Sequence, residues 1–273
     1  MAGQALIEPG RFLDALNVEV ELLLDAARRM SPATRVRTTP GFTVNELVRH
    51  LGGSYRIARL WILEGRSPQR YQRNPAPGQS TEDFLWTGLD DLLALLRSRS
   101  PDTRAATWWP ADPTYGFWAR RMAHETTVHR IDLQETVAVA GDRPDVPDPR
   151  SADSPIDGPI TPVSDDFAFD GVDEALTAWF VQRLARLGVS GTKHWSVGVR
   201  TGGHHWIARA GPDYTEAWRC SPQEAKRAQA LVSGTPMRVY LWLWGRRDHR
   251  AVTWEGSADA AAQLWALMRL ATK

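Results

Sequence analysis

Apolar residues recur at helical spacing along the first half of the chain and predict four amphipathic helices. In each helix, leucine, valine or tryptophan residues lie three and four positions apart, which places them on one face. The second helix begins at a capping box, in which Thr43 and a glutamate three residues later exchange hydrogen bonds. The pattern is typical of an antiparallel four-helix bundle, with helices at about 11–30, 43–65, 81–98 and 115–138.

The pattern changes beyond residue 140. Residues 140–168 are rich in proline, aspartate and serine and carry few large apolar side chains, so we predict a linker there. A fifth helix is predicted over about 172–187. The residues after it alternate between apolar and polar, which is typical of strands. We predict strands at 194–201, 204–210, 238–245 and 251–256, and helices at about 221–232 and 259–272.

These elements predict two domains of different class. Residues 1–187, including the linker and the fifth helix, form the predicted helical domain. Residues 188–273 form a smaller α+β domain. A length of 273 residues with 42% apolar content is enough for two cores of modest size.

Charge and cysteine content limit the function classes. The 33 Lys and Arg residues nearly balance 32 Asp and Glu residues, and a net charge of +1 provides no field that would attract nucleic acid or an anionic membrane. No apolar run approaches the ~20 residues of a membrane span, and no basic segment followed by an apolar one opens the chain. We therefore expect a cytoplasmic protein that binds small molecules. The single cysteine, Cys220, excludes an internal disulfide and a zinc site built from several cysteines.

The fourth predicted helix contains "AHETTVHRID", which differs from a zinc-protease signature by one extra residue. At ~100° per residue, Glu125 and His129 point about 40° apart, and Asp132 lies within about 20° of the glutamate direction. His124 points about 140° away from His129. Glu125, His129 and Asp132 therefore share a face of the helix, which also carries Trp118. His124 lies off that face.

Charged groups that face a bundle interior need a partner, and a divalent metal is one such partner. Helix bundles build metal sites from carboxylates and histidines on facing helices. His50, at the edge of the inward stripe of the second helix, is the candidate third ligand beside Glu125 and His129. Three protein ligands would leave the open fourth position of a catalytic zinc site. Two alternatives stay open, a solvated Glu–His pair on the helix surface and a structural role for His50.

Five segments, taken together and in order, carry a family resemblance: "TPGFTVNELVRHLGGS", "RRMAHETTVHRIDLQ", "FAFDGVDEALTAW", "LWLWGRR" and "VTWEG". They resemble the mycothiol-dependent maleylpyruvate isomerase family, a branch of the DinB-like metal proteins. The resemblance implies a DinB-like helix bundle with a zinc-like divalent metal, joined to a small sterol-carrier-like domain. It implies that His50, Glu125 and His129 bind the metal and that Asp132 holds the metal's water or thiol. It also implies that an arginine of the C-terminal domain assists the site, and Arg246 matches it.

This combination of residues suits thiol chemistry. A thiol with a pKa of about 8.5 is mostly protonated at neutral pH, and coordination to Zn²⁺ removes its proton. Because Cys220 is expected to be a small buried side chain, the sulfur would come from mycothiol as a cosubstrate. Tryptophans near the fourth helix predict an aromatic-walled pocket for an apolar electrophile. These tryptophans are Trp86, Trp108, Trp109 and Trp118. We therefore expect S-transfer of mycothiol to an electrophilic small molecule, with Arg246 and Trp118 contacting the cosubstrate.

Other functions use the same residues and stay open. One is mycothiol-dependent cis–trans isomerisation of a maleylpyruvate-like substrate. The others are metal-dependent hydrolysis and non-catalytic binding of a small molecule. Zinc, nickel and iron are all candidate metals, because mixed nitrogen and oxygen ligands discriminate weakly among them.

Overall fold

Four helices build the first unit of the chain in the computed structural model, which describes residues 5–140 and 160–272. Each of the four begins and ends within two residues of its predicted bounds, so the helical prediction for this half is confirmed. The helices are α1 (Pro9–Arg28), α2 (Val44–Glu64), α3 (Thr81–Arg97) and α4 (Tyr115–Ala140).

The predicted capping box fixes the start of α2. The Glu46 backbone N–H donates to Thr43 Oγ1, and the Thr43 backbone N–H donates to Glu46 Oε2 at 2.8 Å. Gly65 ends the helix in the left-handed conformation, with φ of 66°, which glycine adopts without steric cost. Both ends of α2 are therefore defined by local sequence, and the position of His50 along the helix follows from them.

The helices pack through one shared apolar core. α1 lies against α4 and α2 lies against α3, while α2 also contacts α4. Gly52 allows α2 and α3 to approach closely, since a Cβ added there would lie 2.6 Å from the Phe84 ring. In the same contact, Arg56 Nη1 donates to the carbonyl oxygens of Gly52 and Phe84 at 2.8 and 2.7 Å. Side chains buried in this core include Phe12, Leu16, Leu51, Tyr55, Leu89 and Phe117.

The second unit contains a five-stranded mixed sheet with helices, and the predicted fold class of a helical region plus an α+β domain is confirmed. The strand order is β3-β2-β1-β4-β5, in which β1 and β4 are parallel and the other neighbours are antiparallel. The strands are β1 (Trp195–Thr201), β2 (His204–Gly211), β3 (Tyr214–Arg219), β4 (Ala230–Ser233) and β5 (Thr253–Gly256). The helices are α5 (Asp165–Glu174), a π-helical continuation (Ala175–Arg183), α6 (Leu184–Leu187), α7 (Pro222–Lys226), α8 (Pro236–Leu243) and α9 (Ala258–Ala271), with a 3₁₀ turn at His249–Ala251.

The strand predicted at 238–245 is wrong, because this segment lies mainly in helix α8. Its apolar side chains are buried on all sides, and a short apolar run of this kind does not distinguish a buried strand from a buried helix. Pro236 at the first turn, with its fixed φ, favours the helix. Gly245 then ends the segment with φ of 66°.

The helix predicted at 221–232 is wrong over its second half. Only Pro222–Lys226 is helical, and this helix begins at a Ser221–Glu224 capping box, whereas Ala230–Ser233 forms β4.

Strand β3 was not predicted. All six of its residues are half-buried, so its sequence lacks the alternation that identifies a strand with one buried face.

The fifth helix begins earlier than the sequence predicted, at Asp165, and extends through the π-helical segment to Leu187. Two aspartates in its first turn favour this start, because negative charge stabilises a helix N-terminus. Among the described residues, 5–7 and 162–272 form one compact unit, so this helix belongs with the sheet, whereas the sequence-based division at residue 187 placed it with the bundle. Hydrogen bonds to the buried Asp173 carboxylate explain the difference, since it accepts from Trp206 Nε1 of β2 and from Arg219 Nε of β3, each at 2.7 Å.

The predicted linker at 140–168 lies largely outside the described residues, which exclude 141–159. None of the helices in the described part of the chain is long and apolar enough to span a membrane.

Candidate metal centre

Helix α4 presents two potential metal ligands one turn apart, as their spacing predicts. His129 Nε2 lies 3.5 Å from Glu125 Oε1. Both side chains are largely buried, with 16% of Glu125 and 10% of His129 exposed. They face the interior of the helical unit, where their charges require partners.

The third candidate ligand, His50, comes from α2. His50 Nε2 lies 3.2 Å from Glu125 Oε1, and the His50 and His129 rings meet edge to face with centroids 5.3 Å apart. A hydrogen bond between Tyr55 Oη and Thr126 Oγ1, 2.7 Å long, joins the same two helices in the buried core nearby. The contact between α2 and α4 thus brings together residues 75 positions apart in the chain.

The three donor atoms fit a divalent metal. They all lie within 4.8 Å of one another, and within the described residues this is the group of three or more such side chains that meets a metal-ligand spacing. Tetrahedral zinc with bonds of ~2.0–2.1 Å keeps its ligand atoms roughly 3.3 Å apart. The Glu125 oxygen already lies at 3.2 Å from His50 and 3.5 Å from His129, so small side-chain movements would complete the set. The donor set of two imidazoles and one carboxylate is that of catalytic zinc sites.

The charges of the site favour an ionised Glu125. Burial by itself would raise the pKa of the carboxyl group, but the Arg121 guanidinium and hydrogen bonds from His129 and His50 hold that pKa well below its usual value. Burial lowers the pKa of His129, yet hydrogen bonds to Asp132 and Glu125 outweigh it and raise the pKa to about 9. In the metal-free protein, His129 is therefore a positively charged imidazolium at neutral pH. Its Nε2 atom carries a proton at the position that a metal would take.

Asp132 lies behind His129. Its Oδ2 atom is 3.0 Å from His129 Nδ1, and its Oδ1 atom accepts a 2.5 Å hydrogen bond from the Thr38 hydroxyl. The carboxylate is fully buried. The sequence placed Asp132 correctly on the face of Glu125 and His129. Its predicted role at the open position of the metal stays a prediction, and its contacts with His129 and Thr38 are those of a group that orients His129.

The remaining predicted residues have different surroundings. His124 is fully buried and packs edge-on against the Phe12 ring of α1, and it is outside the three-ligand group, as its angle on the helix predicted. Trp118 is only 2% exposed, and its indole N–H donates to the Ala106 carbonyl oxygen at 2.9 Å. Arg246 belongs to the second unit, where it is buried just after α8 and donates to the Trp244 carbonyl oxygen. The roles assigned to Trp118 and Arg246 stay predictions.

Three of the four tryptophans expected to form a pocket wall pack around Phe117. The rings of Trp108, Trp109 and Trp118 all lie within 6.1 Å of the Phe117 ring, centroid to centroid. Trp61 of α2 joins this cluster 6.0 Å from Trp118. A cavity of about 430 Å³ in the same unit is lined by other residues, at the end of α2 and in the segment 104–113.

Three residues around the candidate ligands were not identified from the sequence. Arg121 is buried one turn before Glu125 and donates to its Oε2 atom at 2.5 Å. Thr38 holds Asp132, and Phe42 lies beside His50 with ring centroids 5.2 Å apart. Only Arg121 had a visible signal, the four-residue spacing of an oppositely charged pair on a helix.

Cys220 is part-buried and directly follows β3. Burial, and secondarily the Glu224 carboxylate, raise the pKa of its thiol to about 11 despite a hydrogen bond from the Ala225 backbone. The thiol is therefore protonated and unreactive at neutral pH, which agrees with its predicted inert role.

The chain is similar to one family over most of its length. The model of the mycothiol maleylpyruvate isomerase N-terminal domain matches residues 13–134, and the model of the corresponding C-terminal domain matches residues 166–263. The first match contains all three candidate ligands, and the second begins inside α5. No protein with a curated description matches the sequence.

Two solved structures share the fold. They are the mycothiol-dependent maleylpyruvate isomerase and a mutant of it, with 12% and 11% identity to this chain. Each comparison covers 93% of this chain and 96% of the other chain, at a TM-score of 0.51.

Proposed function

Because the chain belongs to the mycothiol maleylpyruvate isomerase family, we propose that it is a metal-dependent enzyme that uses mycothiol to isomerise a double bond in a small, maleylpyruvate-like molecule. The observation that carries this proposal is the convergence of His50, Glu125 and His129 within one metal-ligand spacing. All three residues lie in the segment that matches the N-terminal domain of the family.

The residues of the chain would hold the metal and leave it accessible. His50, Glu125 and His129 supply three donor atoms, and Asp132 directs His129 Nε2 toward the ion by accepting a hydrogen bond at Nδ1. A divalent ion bound there would lower the pKa of a thiol at its open position, so that the thiol would react as a thiolate at neutral pH. His50 is the most exposed of the three ligands, at 36%, so we propose that the thiol approaches from its side, next to Phe42.

The isomerisation balances without an oxidant or a reductant. The sulfur adds its electron pair to one carbon of a double bond conjugated to a carbonyl group, and the pair of the double bond moves to the carbonyl oxygen. The former double bond is now single and rotates. The electron pair then returns, the carbon–sulfur bond breaks, and mycothiol leaves unchanged. The mycothiol sulfur is needed because Cys220 is protonated at neutral pH.

Isomerisation is better supported than the S-transfer that the tryptophans suggested. That expectation depended on an aromatic wall beside the site, but Trp109 and Trp118 are each only 2% exposed and pack around Phe117. The family match favours an isomerase. We therefore treat S-transfer as an outcome to be tested, together with metal-dependent hydrolysis and binding without reaction.

The test is incubation of metal-loaded protein with mycothiol and maleylpyruvate, followed by mass spectrometry and nuclear magnetic resonance of the products. We expect the trans isomer at full yield, with mycothiol recovered unchanged. Metal-free protein and the Glu125→Gln variant are the controls, and both should be inactive. A panel of other activated alkenes then defines the substrate class.

Each other result contradicts the proposal in a distinct way. A stable mycothiol conjugate would favour S-transfer. Turnover without thiol would favour hydrolysis, since that reaction needs only water at the metal. Binding of the alkene with no change in either compound would favour a binding protein.

A further inference from the structure

A buried arginine divides the Glu125 carboxylate between two sets of partners. Arg121 is only 1% exposed and lies one helical turn before Glu125 on α4. Its Nη2 atom donates to Glu125 Oε2 at 2.5 Å. The other oxygen, Oε1, faces His50 at 3.2 Å and His129 at 3.5 Å.

The division matters because a carboxylate can bind a metal through one oxygen or through both. One oxygen from Glu125 and one nitrogen from each histidine make three ligands and leave the fourth position open. Two oxygens from Glu125 would make four ligands and fill that position with protein. The guanidinium competes for the second oxygen, and it does so as a charged donor, which forms the stronger class of hydrogen bond.

We propose that Arg121 is a positioning residue that restricts Glu125 to one-oxygen coordination and so keeps the fourth position of the metal open for a thiol. The inference rests on the proposed metal site but concerns the number of ligands, which can be measured without any catalysis. It assigns a role to the buried cation beyond neutralising a buried carboxylate.

The charge of Arg121 separates this role from a purely structural one. Replacing a cation beside a metal site by a neutral side chain removes repulsion of the metal, so affinity for the ion should hold or rise. Loss of positioning, in contrast, should raise the number of Glu125 oxygens bound to the metal from one to two and weaken thiol binding. An arginine that only stabilises the fold would leave both of these properties unchanged in the folded variant.

The experiment uses Co²⁺-loaded wild type, Arg121→Met and Arg121→Lys, with the visible absorption of the metal as the readout. In Arg121→Met we expect the second Glu125 oxygen to replace the exchangeable ligand at the fourth position, so mycothiol should leave the cobalt spectrum unchanged at concentrations that alter the wild-type spectrum. The Co²⁺ dissociation constant should be equal to or below that of the wild type. Titration with mycothiol should show at least tenfold weaker binding. Arg121→Lys, which keeps a donor cation, should restore the wild-type spectral response and most of the thiol affinity.

A wild-type spectral response to mycothiol and wild-type thiol affinity in Arg121→Met would overturn the inference. Should that variant not fold, X-ray absorption of the zinc-loaded wild type decides the question. The inference requires one carboxylate oxygen from Glu125 at bonding distance, and two would exclude it. Absence of metal binding by the wild type would remove both this inference and the proposed function, whereas normal isomerisation with two bound Glu125 oxygens would remove this inference alone.

Discussion

His129 Nδ1 lies 3.0 Å from Asp132 Oδ2, and both side chains are buried. This contact fixes the N–H of the imidazole at Nδ1 once the ring is neutral and leaves Nε2 to face Glu125. A histidine that binds a metal almost always donates its other N–H to such an acceptor, which fixes the tautomer and makes the ring more basic. Thr38 in turn holds the Asp132 carboxylate through a hydroxyl hydrogen bond.

The Asp132→Asn variant tests this contact. We expect metal affinity to fall about 10- to 100-fold, the usual effect of removing an outer carboxylate behind a metal-bound histidine. Competition with a coloured chelator measures the dissociation constant. Thr38→Val, which removes only the hydrogen bond to Asp132, should give a smaller loss. Unchanged metal affinity with lost turnover would instead support the role at the open position that the resemblance implied for Asp132.

Metal content distinguishes the ligands from their neighbour on α4. We expect one divalent ion per chain in the wild type, and loss of that ion in His50→Ala, Glu125→Ala and His129→Ala. His124→Ala should retain the metal, because its ring packs against Phe12 and is outside the ligand group. Elemental analysis after gel filtration measures the ratio.

The His124→Ala control will also lose stability, since the side chain is fully buried. A cost of about 1–3 kcal/mol is typical of a disrupted buried contact. The comparison should therefore be made well below the melting temperature of that variant. Equal metal content in the His124→Ala and His129→Ala variants would contradict the assignment.

Metal affinity should rise with pH between about 7 and 9. The pKa of His129 in the metal-free protein is raised to about 9, because Asp132 and Glu125 outweigh the effect of burial. A metal must displace that proton, so affinity should increase up to about tenfold per pH unit below pH 9. The same proton stabilises the metal-free fold below the unfolded pKa of about 6.5, and this contribution disappears as the pH rises through 9. Chelator competition at several pH values measures the slope, and a flat profile would contradict the protonated state.

Cys220→Ala should leave the thiol-dependent reaction unchanged. The raised pKa of about 11 keeps the Cys220 thiol protonated, so it should react slowly with iodoacetamide at pH 8. Isomerase assays with and without mycothiol, on both proteins, measure the contribution of each sulfur. Residual activity of the wild type without mycothiol that disappears in Cys220→Ala would show that the protein uses its own thiol.

The contact between α2 and α3 is expected to be sensitive to one methyl group. Gly52→Ala places a Cβ atom 2.6 Å from the Phe84 ring, and we expect a loss of about 1–3 kcal/mol from overpacking. Gly53→Ala is the matched control, because its Cβ would meet Tyr71 at an ordinary 3.6 Å. The control should be neutral or gain up to about 1 kcal/mol from helix propensity. Denaturant unfolding of both variants measures the difference, and equal stabilities would contradict the packing account.

The helices of the first unit were predictable because their local signals agree with their packing. Thr43 and Gly65 define the ends of α2 by hydrogen bonding and backbone conformation alone, and the leucine spacing gives its buried face. The second unit was less predictable. Residues 239–244 are all apolar, so their period carries no information, and Pro236 together with packing against neighbouring elements favours the helix.

The residues of the site were likewise predictable where local spacing decides their position, and less so where packing does. Glu125 and His129 follow from spacing on one helix. His50 was a candidate from its position on the second helix, but its distance to them depends on how α2 meets α4, so only the resemblance supported that assignment. Arg121 and Thr38 act through the ligands or their supports, and no pattern in the sequence states which oxygen of a carboxylate a neighbour will hold.

The 75-residue separation between His50 and Glu125 has a consequence for α3. A shared ion would join the chain at these two points and close a loop that contains the whole of α3, although α3 supplies none of the three donors. Such a cross-link restricts the unfolded chain in the way that a disulfide does, and the gain in stability grows with the length of the closed loop. The ion would therefore act as a reversible cross-link that stabilises the fold of the loop containing α3, although it does not contact α3.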